Sequence, residues 1–301
     1  MRAKDVVDLV LLAAVWGASF LFMRMGAPEF GAIALVQLRM LIAALFLLPI
    51  LMMRVGLDEL PGNWKHLTML GFYNSAIPFW LLTYSTMFVT AGFSSVINAT
   101  APLWGALVAW VWLSERLSKP AIVGLSLGFI GVAVLSMDKE SLAVDGAPLA
   151  VAAAVLGAFF YGIGANYARR YTSQLNSLSV ATGTMLFPAL FLLPLTIADW
   201  PDTLPSTEAW IALFAMGIAS TGFAYILYFR LIANVGPTRA ITVAYLIPVF
   251  AVFWGAVIID EVVTTLMIVG CLIIFVGTAL VTGVLPRPGK QEPEDTQKNE
   301  R

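Results

Sequence analysis

Long apolar segments separated by short polar connections follow one another along the chain. Apolar and polar residues do not alternate with a period of two, so the pattern predicts helices and not the strands of a barrel. A helix that crosses a bilayer needs about 20 mostly apolar residues. Ten predicted spans of about this length cover approximately residues 6–24, 31–53, 67–88, 92–113, 119–137, 147–168, 177–198, 208–230, 238–259 and 264–284.

The two ends of the chain differ in character. The residues after the tenth span, 285–301, are polar and contain prolines, which predicts a disordered cytoplasmic tail. The first span could be taken for a signal peptide, but a matching segment recurs in the second half of the chain, so we interpret it as a retained span.

The composition supports an all-α integral membrane protein. Hydrophobic residues make up 60% of the chain and charged residues 12%, whereas soluble proteins are about half apolar and a quarter charged. The bilayer is therefore the expected partner, and a net charge of −1 gives no reason to expect nucleic acid. One cysteine and one histidine exclude a disulfide framework and a Cys/His metal cluster, and we expect no cofactor.

The distribution of positive charge predicts an orientation. With the N-terminus inside, fourteen lysines and arginines fall in cytoplasmic segments, and two, Arg24 and Lys139, fall outside. Positive residues accumulate on the cytoplasmic side of membrane proteins. We therefore predict a multi-pass protein of the bacterial inner membrane with both termini in the cytoplasm.

The second half of the chain repeats the first. The sequence ALFLLP occurs at 44–49 and again at 189–194. Each repeat, residues 4–137 and 147–284, holds five predicted spans, and because five is odd the second copy runs through the membrane in the opposite direction, as in many secondary transporters. A run of Pro102, Glu115, Gly124 and Gly131 recurs 146 residues later as Pro248, Glu261, Gly270 and Gly277.

This repeated run resembles the EamA-type signature of the drug/metabolite transporter superfamily, and the resemblance covers residues from about Lys4 to Gly283. Members of that superfamily export amino acids, metabolites and drugs. The spacing of aromatic residues is most similar to that of bacterial exporters of aromatic amino acids. The resemblance thus implies a small-molecule substrate, an amino acid or related metabolite, that passes through a central cavity by alternating access.

Aromatic, amide and hydroxyl side chains inside the spans are the candidates for lining this cavity, because such groups avoid lipid and face protein or water. Some of them could instead only join helices. Rings attract an ammonium group weakly, and amides and phenols bind a carboxylate, so the set predicts an apolar zwitterion such as Phe, Trp or Tyr, with flat cationic drugs also tolerated. The candidates are Trp16, Ser19, Met23, Asn74, Pro78, Trp80, Tyr84, Asn98, Tyr161, Asn166, Tyr225 and Tyr245.

Arg39 is the one charge deep inside a span, about eight residues into the second. It either attracts a substrate carboxylate, or its long side chain extends to the outer interface or bonds backbone carbonyls. The absence of acids at matching depth favours facilitated transport, but Asp8, Glu115 and Glu261 lie near span ends and leave a proton-coupled multidrug or metabolite exporter as an alternative. A membrane-embedded transferase is a remote alternative, because no acids show ligand-like spacing on a helix face.

Prolines and glycines predict how the spans bend and pack. Pro102 and Pro248 lie near the middle of spans four and nine, where proline removes a backbone hydrogen bond, so we predict kinks there that act as hinges. The repeated glycines of spans five and ten indicate packing surfaces, of which a contact between protomers is one use. The expected assembly is a monomer or a weak homodimer.

Overall fold

The computed structural model describes residues 2–138, 142 and 145–283, and every regular element in this part of the chain is a helix. The first half contains α1 (Ala3–Arg54), α2 (Glu59–Gly71), a π-helical segment (Phe72–Ala76), α3 (Ile77–Phe88), α4 (Ala91–Asn98), α5 (Ala101–Trp112) and α6 (Lys119–Leu135). The second half contains α7 (Ala147–Tyr171), α8 (Ser177–Ala198), α9 (Thr207–Phe214), a second π-helical segment (Ala215–Phe223), α10 (Ala224–Val235), α11 (Pro237–Ala240), α12 (Val243–Ile258) and α13 (Thr265–Thr282). The predicted tail, 285–301, lies outside the described residues.

Among the described residues, six helical runs are long and apolar enough to cross a membrane, and α6 and α12 are shorter apolar helices. The six runs are Ala3–Arg54, Ala91–Trp112, Ala147–Tyr171, Ser177–Ala198, Thr207–Val235 and Thr265–Thr282. The protein is therefore an all-helical, multi-pass membrane protein, and the count of ten spans stays a prediction.

The first run joins the predicted spans one and two without a polar loop. Its only non-helical residue is Gly31, with φ 71° and ψ 160°. A residue with a side chain is strained at this positive φ, whereas glycine adopts it freely. The sequence predicted a connection at this place, and the structure reduces it to one kink inside a 52-residue helical run.

The helices α5 and α12 end in the same way. Ser114 and Asp260 have φ values of 56° and 54°, and the following residues, Glu115 and Glu261, donate their backbone N–H to Ala109 and Gly255. This left-handed ending with a bond back across the last turn is typical of a helix C-terminus. In both places this ending turns the chain sharply toward the next helix. The two endings lie 146 residues apart in the sequence.

The helices α6 and α13 pack closely through their glycines. A Cβ atom added at Gly124 would lie 2.4 Å from the carbonyl oxygen of Gly277, and one added at Gly131 would lie 3.1 Å from that of Gly270. Such spacing lets two backbones touch. The glycine pairs of spans five and ten therefore face each other within one chain.

The largest buried apolar cluster surrounds the kink at Gly31. It joins Phe30 of α1 and Phe93 of α4 with residues of α7, α9 and α13, such as Ala150, Leu213 and Ile274. Burial of large apolar side chains from many helices fixes these elements against one another. This cluster closes one end of the space between the helices.

Candidate functional site

A cavity of about 340 Å³ lies between α1, α3, α4, α5, α7, α10 and α12, so both halves of the chain contribute to its wall. A volume of this order falls in the range of small-molecule sites. Its lining is mainly apolar and aromatic, with a few polar groups. This is the composition expected for a site that binds a small, largely apolar molecule.

Seven of the twelve sequence-predicted candidates line this cavity, together with both predicted hinge prolines. The helical spacing of Trp16, Ser19 and Met23 along α1 places them on one face, and the others are brought to the same space by four different helices. The seven are Trp16, Ser19, Met23, Asn74, Asn98, Tyr161 and Tyr225, and the prolines are Pro102 and Pro248.

Three of the remaining candidates join helices instead. Asn166 donates from its amide to the carbonyl oxygens of Gly105 and Gly162, at 2.9 Å each. The hydroxyl of Tyr245 lies 2.8 Å from that of Thr282. Pro78 is buried beside Gly157, at the contact of α3 with α7. The amide nitrogen of Asn166 and the hydroxyl of Tyr245 already have protein partners, so they have less hydrogen-bonding capacity left for a ligand.

Trp80 and Tyr84 also lie outside the cavity lining. Trp80 is 41% exposed and lines an outer crevice with Ile77 and Leu192. The ring of Tyr84 packs on Phe88, with centroids 5.0 Å apart. Their spacing of four residues put them on one helix face, and that face is turned away from the cavity.

Sequence reasoning missed several lining residues. The hydroxyls of Ser220 and Thr221 come from the second π-helical segment. A π-helical turn shifts the faces of a helix, so a pattern of 3.6 residues per turn misplaces them. The missed aromatic and hydroxyl residues of the lining are Phe20, Phe79, Ser95, Ser220 and Thr221.

Arg39 lies in the cavity wall and does not reach an interface. The residue is 3% exposed, its Nε donates to the Thr221 hydroxyl at 2.9 Å, and its guanidinium carbon lies 3.8 Å from the ring centroid of Phe79. The Thr221 hydroxyl in turn donates to the carbonyl oxygen of Met216 at 2.9 Å. Arg39 is thus held by its Nε and its flat face.

The residues at the two ends of the cavity differ in burial. Ala165 of α7 and Ile241, which precedes α12, line it and are exposed. Met23 and Ser95 line the opposite end and are buried beside the large apolar cluster. We call the end at Ala165 and Ile241 the open end of the cavity, and the end at Met23 and Ser95 the closed end.

Ion pairs between the two halves of the chain lie near both ends, and Arg230 with Asp8 is a further such pair. At the closed end, Arg24 Nε lies 3.8 Å from Glu261 Oε1, with the side chains 33% and 10% exposed, and Glu261 also accepts from the backbone N–H of Ala91 at 2.9 Å. Burial raises the pKa of the Glu261 carboxyl above its usual value. At the open end, Arg169 pairs with Glu115, and these side chains are 64% and 45% exposed.

The described residues contain no group of three His, Cys, Asp or Glu side chains that could hold a metal ion. The site therefore offers apolar contact, ring faces, hydroxyls, two amides and one guanidinium. A membrane-embedded cavity of this kind, placed between two halves of a chain, defines a small-molecule transporter.

Family comparison gives the same class. The sequence model of the EamA-like transporter family matches residues 6–137 and 148–283, so the chain belongs to that family.

Several curated relatives cover nearly the whole chain. The uncharacterized transporter YoaV of Bacillus subtilis is 24% identical, over 94% of this chain and 98% of its own length. A protein of Streptantibioticus cattleyicolor named "Probable terminal-alkyne amino-acid exporter" is 26% identical, over 93% of each chain. The uncharacterized inner membrane transporter YedA of Escherichia coli K12 is 24% identical, over 94% of this chain and 93% of its own length.

A solved crystal structure has the same fold. It superposes with a TM-score of 0.65 and 18% sequence identity, over 94% of this chain and 98% of the other. At this identity the likeness bears on the fold alone.

Proposed function

We propose that this transporter exports amino acids with aromatic or other apolar side chains, and related small metabolites, across the bacterial inner membrane. The observation that carries the proposal is the lining of the cavity, in which Trp16, Tyr161, Tyr225 and Tyr228 surround a small apolar space with few hydrogen-bonding groups. The similarity to a relative named as an amino-acid exporter supports it, and so does the relative named as an inner membrane transporter.

The proposed architecture is ten transmembrane helices in two inverted five-helix repeats, residues 4–137 and 147–284, with both termini in the cytoplasm. Three observations support it: the two segments matched by the family, the equivalent endings of α5 and α12, and a π-helical segment in both the third and the eighth predicted span. The excess of lysine and arginine on one side supports the orientation.

The proposed mechanism is alternating access. The two end pairs are related by the repeat, since Arg24 and Arg169 are 145 residues apart and Glu115 and Glu261 are 146 apart. Each pair joins one half of the chain to the other, and the pair at the closed end is less exposed than the pair at the open end. In the proposed cycle the halves rock so that the less exposed pair becomes the more exposed one. With the predicted orientation, the open end faces the cytoplasm.

The prolines of the cavity wall support the hinge assignment. The fourth predicted span is interrupted between Asn98 and Ala101, immediately before Pro102. The ninth is interrupted between Ala240 and Val243, and α12 then continues through Pro248. Because proline has no N–H, the backbone carbonyl four residues before each proline lacks its helical hydrogen bond. The proposed hinges therefore lie where the helix has fewer backbone hydrogen bonds.

A proton-coupled exporter is the second candidate, favoured by Glu261. This carboxylate is buried at the closed end, and burial raises its pKa. A proton taken up there would remove the charge that pairs with Arg24. Coupling would follow if opening of that end required protonation. The facilitative mechanism remains our first proposal because no acid lines the cavity among the described residues.

Exchange in proteoliposomes tests the proposal. The purified protein is reconstituted, loaded with unlabelled phenylalanine, and the uptake of labelled phenylalanine is followed with and without a pH gradient. Unlabelled Trp and Met should compete strongly, and exchange without a gradient should be retained. Stronger competition by Asp, Glu or a sugar phosphate than by Trp or Met would contradict the proposal, and dependence on the gradient would favour the second candidate.

A further inference from the structure

We propose that Arg39 binds the carboxylate of the transported molecule, so that the cavity requires a carboxylate and excludes cations. The inference rests on the proposed function and deepens it by naming the group that the cavity recognises. It departs from the expectation that amides and phenols alone hold the carboxylate, and from the expectation that flat cationic drugs share the cavity.

The first observation is the position of the guanidinium. Arg39 lies in the wall of the cavity, almost completely buried, and its flat face covers the ring of Phe79 at 3.8 Å. This stacking and the bond from Nε to Thr221 fix the plane of the group. A planar guanidinium that is fixed in this way is suited to bind a carboxylate through two parallel hydrogen bonds.

The second observation is that the guanidinium has hydrogen-bond donors without partners among the described residues. Arginine carries five N–H donors, and the described residues give Arg39 one hydrogen bond, from Nε. Its Nη1 is buried with no hydrogen-bond partner in the described part of the chain, and no described carboxylate pairs with it. A buried charge without a partner is unfavourable, so a ligand carboxylate would complete this site.

The third observation is the charge of the cavity as a whole. Arg39 is the only charged side chain in the lining, as far as the described residues go. One positive charge balances one carboxylate, whereas a second negative charge on the ligand would stay unpaired. A ligand that carries only an ammonium group would meet a like charge at short range, and this repulsion selects against it.

Asn98 gives the ammonium group of an amino acid a neutral acceptor. Its side-chain oxygen is buried without a hydrogen-bond partner and lines the same cavity. Its backbone carbonyl also lacks its helical donor, because Pro102 has no N–H. The ammonium is thus accepted without a counter-charge, so it contributes less to recognition than the carboxylate does.

Four compounds with the same phenyl ring test the inference in the wild-type protein. They are L-phenylalanine, 3-phenylpropionate, L-phenylalaninamide and phenethylamine, of which only the first two carry a carboxylate. Each is added to proteoliposomes that exchange labelled phenylalanine, and each is also tested for thermal stabilisation of the purified protein. We expect the two compounds without a carboxylate to compete about tenfold or more weakly than phenylalanine, and 3-phenylpropionate to lie nearer to it.

Variants at position 39 then assign the preference to the guanidinium. In Arg39→Gln the preference for a carboxylate should fall to less than about threefold, whereas Arg39→Lys keeps the charge but loses the planar pair of donors, so it should retain part of the preference. The matched control is Gln37→Leu, because Gln37 is an equally buried polar residue of the same helix that bonds the carbonyl of Ala189 and lies outside the cavity lining. This control should keep the wild-type preference.

The outcomes separate the inference from the proposed function. Equal competition by phenethylamine or phenylalaninamide and by phenylalanine overturns the inference while export of amino acids stands. Stabilisation by 3-phenylpropionate but not by phenethylamine, in a protein that exchanges no amino acid, supports the inference and overturns the proposed function. A folded Arg39→Gln protein that keeps the wild-type preference also overturns the inference, and if that variant does not fold, the wild-type panel and Arg39→Lys decide.

Discussion

The contact between Trp16 and Tyr228 shows how single residues build the site. Trp16 belongs to α1 and Tyr228 to α10, and their rings meet at 5.3 Å in the cavity wall. Tilted aromatic pairs of this kind contribute about 0.5–1.5 kcal/mol beyond the burial of their area. The pair therefore both joins the two halves of the chain and presents ring faces to the cavity.

Replacement of Trp16 by Ala should lower phenylalanine exchange much more than it lowers the amount of folded protein, because it removes a ring face from the cavity. The matched control is Trp80→Ala, since Trp80 is a tryptophan on an outer crevice. Exchange per folded protein should fall about tenfold or more in Trp16→Ala, in keeping with the energy of a buried aromatic contact, and stay near the wild-type value in the control. Equal losses in the two variants would mean that Trp16 only packs helices.

For single residues, the sequence predicted only part of the cavity lining. Trp16, Ser19 and Met23 followed from helical spacing, because α1 is regular along that stretch. Ser220 and Thr221 did not, because they lie in a π-helical segment. Asn166 and Tyr245 look like ligand-binding residues in the sequence, and only three-dimensional contacts with Gly105 and Thr282 show that they join helices.

At the scale of helices, the break between α4 and α5 before Pro102 predicts the effect of replacing this proline. The helices α4 and α5 are separate because Pro102 supplies no N–H to the carbonyl of Asn98. In Pro102→Ala this donor is restored, so the two helices should tend to fuse and transport should slow while the protein remains folded. Exchange rates and thermal unfolding of Pro102→Ala and Pro248→Ala check this. Wild-type exchange rates in both variants would exclude hinges at the prolines.

The close contact of α6 with α13 predicts that adding one methyl group there lowers the stability of the protein. In Gly124→Ala the added methyl group would lie 2.4 Å from the carbonyl oxygen of Gly277, so the two helices must separate. Overpacking of this kind destabilises proteins by about 1–3 kcal/mol. Gly62→Ala is the control, because nothing lies within 4 Å of its added Cβ. Thermal unfolding in detergent should show a lower midpoint for Gly124→Ala only, and equal midpoints would refute the close contact.

The ion pair at the closed end predicts a dependence on pH. Burial raises the pKa of Glu261, so this carboxyl gains its proton at a higher pH than an exposed glutamate does. Because the protonated form loses its attraction to Arg24, exchange should rise as the pH on that side is lowered. Glu261→Gln should abolish this rise, and Glu115→Gln, at the exposed pair, should retain it. A wild-type rise that persists in Glu261→Gln would exclude Glu261 as its source.

For the whole molecule, the sequence predicted the fold class well because membrane helices satisfy every backbone hydrogen bond internally and must be apolar. It also predicted an internal repeat, from equivalent residues such as Glu115 and Glu261, which follow the ends of two helices. It did not predict the single kink at Gly31, because the Pro28 and Glu29 nearby are typical of a loop. Nor could it show that one end is closed, since this depends on how the helices pack and not on their composition.

The most direct test of the account is whether substrate opens the closed end. Ala91 is buried there, beside Glu261 and outside the cavity lining, so a bound ligand cannot shield it. In Ala91→Cys, with the native Cys271 replaced by Ser, labelling by a membrane-impermeant thiol reagent from the closed side should be slow and should accelerate when phenylalanine is added. Labelling that is unchanged by phenylalanine, in a protein that transports it, would contradict alternating access through this cavity.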